Sequence, residues 1–152
     1  MNKVNTIVLY TNSDKAFQKK FDNHLRMIKM KLADVTFIEI ENITKEEIAN
    51  LLSSDTKLVI FLSSAEANIA LDTIANIMPN LEQHYEAKTK RFVVVKLVPC
   101  DNSGYFIDKL TPIPNIPNGE KCISYADNDT MWYEVTVRLR AVYSKMLGII
   151  KE

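Results

Sequence analysis

A chain of 152 residues, 47% hydrophobic and 25% charged, is one domain of ordinary size with enough apolar matter for a full core. Lysine plus arginine balance aspartate plus glutamate at 19 each, so no global field selects nucleic acid or an anionic membrane. The two cysteines, Cys100 and Cys122, exclude a secreted disulfide framework, and no apolar run approaches the roughly 20 residues of a membrane helix.

The N-terminus runs into an apolar segment without a signal-peptide pattern, so a cytoplasmic location is expected. The histidines His24 and His84 have no partner at ligand spacing, which argues against a metal site. Basic residues gather at Lys19-Lys20 and over residues 88–91, where a solvated surface is the simple expectation.

Residues 4–10 form an apolar run rich in β-branched side chains, as in a strand covered on both faces. Asp14 stands where a helix N-cap is expected, and Phe17, Phe21, Leu25 and Ile28 follow at helical spacing. Residues 35–40 alternate like a half-exposed strand. Thr44-Lys45-Glu46-Glu47 has the form of a capping box ahead of Ile48, Leu51 and Leu52.

Residues 57–62 are a second buried strand, closed by Ser63-Ser64. Residues 65–85 have a helical composition, with Pro79 expected to kink the helix or split it. Residues 92–98 make a fourth strand and 122–125 a short fifth. Met131, Val135, Leu139, Val142 and Met146 stripe a terminal helix. The irregular piece 102–121 holds three of the five prolines and two of the three glycines, which marks a functional or mobile loop.

Alternating strands and helices imply right-handed crossovers. The expected fold is α/β: a flavodoxin-like three-layer sandwich with a five-stranded parallel sheet, order 2-1-3-4-5, flanked by helices, as a single domain over 1–152.

Ligands of such sheets bind beyond the carboxyl ends of the strands. The first turn, Thr11-Asn12-Ser13-Asp14, has no glycine, which excludes dinucleotide and P-loop cradles and weakens a flavodoxin phosphate loop. Leu62-Ser63-Ser64 lacks the carboxylate of a phosphorylatable receiver. Cys100 has no histidine at a strand end to form its thiolate, so a structural cysteine is expected. Trp132 is expected to anchor the core, with stacking on a ligand ring as the alternative.

Several segments resemble the bacterial TIR domain family. Tyr10-Thr11-Asn12-Ser13-Asp14-Lys15-Ala16-Phe17 is similar to its strand-end signature Tyr-Ser-x-x-Asp-x-x-Phe, and Ile60-Phe61-Leu62-Ser63-Ser64 to its third strand and serine. Val93-Val94-Val95-Lys96-Leu97-Val98-Pro99-Cys100-Asp101 resembles the fourth strand and Pro-Cys-Asp corner. Leu110 and Pro112 then follow like its Leu…Leu-Pro segment. Asp127-Asn128-Asp129-Thr130-Met131-Trp132 resembles the opening of the last helix. The likeness spans the chain, but only the Pro-Cys-Asp corner and the helix opening are specific.

Two departures stand out. Phe37-Ile38-Glu39-Ile40-Glu41-Asn42-Ile43-Thr44 lacks the tryptophan and glycine of the family's second strand and BB loop. The resemblance also implies a catalytic glutamate about a dozen residues beyond the serine, where this chain has Asn76 or Ile77. An asparagine cannot supply the charge that stabilises an oxocarbenium-like transition state. Asp72 and Glu82 are the remaining carboxylate candidates.

The resemblance therefore implies a signalling and assembly module acting by self-association or with another TIR domain, with no nucleic-acid or membrane partner. No cofactor is required. NAD or a related nucleotide is the implied ligand or substrate, at Thr11, Asn12, Ser13, Ser64 and Asn76. The alternatives are an active NAD glycohydrolase or cyclase using Asp72 or Glu82, and a flavodoxin-like small-ligand-binding protein.

Overall fold

The computed structural model describes residues 3–53, 55–71, 78–97, 110, 112–113 and 128–148. The chain forms strand β1 (Val4–Tyr10), helices α1 (Lys15–His24) and α2 (Arg26–Lys31), strand β2 (Ala33–Glu39) and helix α3 (Lys45–Ser53). Strand β3 (Leu58–Ser63), helices α4 (Ala65–Ile69) and α5 (Met78–Glu86), strand β4 (Arg91–Lys96), the two-residue strand β5 (Pro112–Ile113) and helix α6 (Asn128–Met146) complete it.

Four full strands run parallel in the order β2-β1-β3-β4, and β5 adds only the pairs Val94↔Pro112 and Val95↔Ile113 at the β4 edge. The sheet is thus α/β and parallel as expected, and among the described residues it consists of four full strands and the two-residue β5. The fifth strand expected at 122–125 lies outside the described residues.

Strand alternation divides the core in two. Val4, Val8, Tyr10, Leu58, Ile60, Leu62, Val93 and Val95 pack with Phe21, Ile28, Trp132, Leu139 and Tyr143 beneath α1, α2 and α6. Ile7, Leu9, Val59, Phe61, Phe92 and Val94 face the other way, onto Ile48 and Leu52 of α3, Leu71, and Leu81 of α5. Burial on both faces explains why β1, β3 and β4 are nearly continuous apolar runs, while edge strand β2 exposes Asp34 and Thr36.

Trp132 is the anchor expected of it: fully buried, its ring stacks on Phe21 at 5.2 Å and 22°. The Thr44 capping box forms reciprocally. Thr44 Oγ1 accepts from Glu47 N at 3.1 Å, and Glu47 Oε1 accepts from Thr44 N at 3.2 Å.

One expectation is corrected. The helical stripe from Phe17 to Ile28 is interrupted at Leu25, whose N–H bonds back to both Phe21 O and Asp22 O. Pro79 stands at the second described residue of α5, and the six positions 72–77 ahead of it lie outside the described residues. After β3 the α-helical turns of α4 run to Ile69 and pass into a π turn at Ala70 and Leu71, with 72–77 outside the described residues. Among the described residues no helix is long and apolar enough to cross a membrane.

Candidate functional site at the carboxyl ends of the central strands

The parallel register Tyr10↔Glu39 and Leu9↔Phe61 brings the carboxyl ends of β1, β2 and β3 together. Thr11, Asp14, Ser63, Ser64 and Asn68 gather there as buried polar groups at the point where strand order reverses.

Asp14 is the hub. It occupies the N-cap position of α1 but makes no capping hydrogen bond, which corrects the role expected of it. Its Oδ2 instead accepts from Ser64 Oγ at 2.6 Å and Thr11 Oγ1 at 3.0 Å. Ser64 in turn caps α4, its Oγ accepting from Ala67 N at 3.1 Å. Thr11 Oγ1 also lies 3.0 Å from Ser13 Oγ. One carboxylate thus ties the turn after β1 to the turn after β3.

Asn12 is exposed, and its backbone N–H points to Glu41, with Oε1 at 3.1 Å and Oε2 at 3.3 Å. Glu41 sits in a short 3₁₀ turn, Ile40–Asn42, directly after β2, and Asn42 Nδ2 donates to Glu39 Oε2 at 2.9 Å. The rim is therefore acidic. Burial, followed by the charges of Glu39 and then Glu41, raises the pKa of the Tyr10 phenol above its ordinary 10.0.

The structure brings Thr11 and Ser64 of the expected set onto Asp14, sets Ser13 against Thr11 and places Asn12 against Glu41. Glu82 lies part-buried on α5, outside these hydrogen bonds. Asp72, Asn76, Ile77, Cys100 and the Pro-Cys-Asp corner lie outside the described residues. Sequence reasoning passed over Glu39 and Glu41. The available signal was the 2-1 strand order, which puts the end of β2 beside the end of β1.

Chemically, the cluster joins a carboxylate to hydroxyl donors, with no histidine and no cation among its described members. That arrangement satisfies a buried charge. Among the described contacts the base beside the Ser64 hydroxyl is Asp14, which also accepts from Thr11. Comparisons with protein families, with curated proteins and with solved structures each give no match for this chain.

Proposed function

We propose that this chain is a TIR-like signalling module that acts by associating with a second copy of itself or with another TIR domain, its nucleotide position closed by its own side chains. The observation that carries this reading is Glu41 on the Asn12 N–H. A free backbone N–H at the end of the first strand of a doubly wound sheet is where a phosphate oxygen would bind. Here a carboxylate takes that place, and Glu39 adds a second negative charge beside it. A dinucleotide pyrophosphate would meet repulsion instead of a cradle.

Two further features support the reading. The four-strand order is compatible with a five-stranded flavodoxin-like sheet of 2-1-3-4-5 order, the finer architecture that the TIR resemblance implies. The helical layer of α1, α2 and α6 also presents large apolar side chains to solvent. Met27 and Met30 are 58% and 66% exposed at i,i+3 on α2; Tyr133 and Val137 are 67% and 42% exposed at i,i+4 on α6.

Sedimentation velocity over a range of concentrations tests the proposal. The wild type forms larger species as concentration rises, and Met30→Glu or Tyr133→Glu shifts it towards monomer. A wild type that stays monomeric alone and with a TIR domain from the same cell overturns it.

A further inference from the structure

A second charged centre lies at the opposite pole of the sheet, at the amino ends of β3 and β4. The pairing Leu58↔Arg91 and the hydrogen bond from Arg91 N to Lys57 O, 2.9 Å, fix Lys57 beside Arg91. The turn entering β4 adds Lys88, Thr89 and Lys90. Lys57, Lys88, Thr89, Lys90, Arg91 and Met146 enclose an open hollow of about 590 Å³. A smaller hollow of about 350 Å³ adjoins it across Lys88, Lys90 and Arg91 and adds Tyr85, Glu86 and Phe92.

Among the described residues no carboxylate forms an ion pair with Lys57, Lys88, Lys90 or Arg91. Lys90 is the part-buried member, with its ammonium held by Thr56 O at 2.6 Å. Burial, then the neighbouring Lys57, lowers its pKa, and Asp55 opposes the shift only as the smallest of the three influences. Lys88 takes φ of +56°, a left-handed backbone uncommon for a side-chain-bearing residue. A chain of zero formal net charge thus gathers four cations at one end of its sheet, with Asp55 and Glu86 nearby, and carboxylates at the other.

We propose that this hollow is a binding site for a phosphate-bearing anion of multiple charge, a polyphosphate or the polyphosphate chain of a nucleotide. A single chloride would not span four cations, whereas successive phosphates can meet the Arg91 fork and the lysine ammoniums together and relieve their repulsion. Thr89 lines the hollow beside them, its hydroxyl held by His84 through O at 3.3 Å and Nδ1 at 2.9 Å. The site does not depend on the TIR-like reading and stands at the other end of the molecule from it.

Isothermal titration calorimetry of the full chain with inorganic tripolyphosphate, at low and at physiological ionic strength, tests this. Saturable binding of one equivalent is expected, weakened by salt and lowered at least about tenfold by Lys57→Gln with Arg91→Gln. The pair Lys19→Gln with Lys20→Gln removes the same charge elsewhere and is expected to bind like wild type. A parallel titration with a nucleoside triphosphate separates the sources. Equal affinity assigns the site to phosphate alone, and tighter binding that Tyr85→Ala reduces assigns it to a nucleotide. Thermal unfolding without ligand gives a second reading, because Lys57→Gln is expected to raise Tm by removing repulsion from Lys90. Absence of saturable binding, or equal weakening by the Lys19/Lys20 pair, overturns the proposal.

Discussion

Replacing Ser64 by alanine is the sharpest probe of the strand-end cluster. Ser64 is 1% exposed, and its hydroxyl donates to Asp14 at 2.6 Å and accepts from Ala67 N at 3.1 Å. Loss of the cap of α4 costs about 1 kcal/mol. Loss of a hydrogen bond to a charged group that stays buried costs about 1.5–3 kcal/mol more. The sum, about 3 kcal/mol, corresponds to a fall in Tm of roughly 9 °C for a domain of this size. Urea unfolding with an unchanged m-value should give the same figure. A double-mutant cycle with Asp14→Ala isolates the pair, and its coupling should be about 1.5–3 kcal/mol. Ser13→Ala, at an exposed position, should stay within about 0.5 kcal/mol of wild type. A Ser64→Ala protein as stable as wild type, or a cycle without coupling, would refute the idea that Asp14 braces the two turns.

Other expectations follow from single interactions. Tyr143 is buried, its hydroxyl 2.8 Å from Thr6 Oγ1, and burial pushes its pKa from 10.0 to about 12. Its folded pKa is raised, so its contribution is complete below pH 10 and lost by about pH 12. That loss, up to about 2.7 kcal/mol, should appear in wild-type denaturant midpoints across this window and be missing in Tyr143→Phe. Thr44→Ala removes the cap of α3 and should cost about 1 kcal/mol by urea unfolding. Glu41→Gln should move the Tyr10 phenol pKa part of the way back towards 10.0, read by NMR of the ring carbons, since burial and Glu39 still act on it. Phe21→Ala breaks the stack under Trp132 and should cost about 3–5 kcal/mol, measured the same way.

Much of the architecture was legible in the chain because burial on both faces leaves a plain mark. Residues 4–10 correspond to β1 without adjustment, and β3 and β4 lie within a residue or two of their apolar runs. The capping box was legible because its partners are three residues apart. The break at Leu25 was not, since Phe21, Leu25 and Ile28 keep helical spacing across it.

The site was half legible. Thr11, Ser13 and Ser64 were placed by the rule that strand ends carry ligands. Asp14, however, looked like a local cap, and its partner Ser64 is 50 residues away. Glu41 lies 29 residues beyond the N–H it occupies, and nothing local announces that pairing. The basic run 88–91 looked like ordinary solvated surface until strand pairing set Lys57 against Arg91.

The most direct measurement is nicotinamide release from NAD by the wild-type protein at high concentration, with Asn76→Glu and Glu82→Ala alongside. No release is expected from wild type or Glu82→Ala, and a gain from Asn76→Glu only when Glu41→Gln opens the Asn12 N–H. Release by the wild type that Glu82→Ala abolishes would contradict that expectation and make the protein an enzyme.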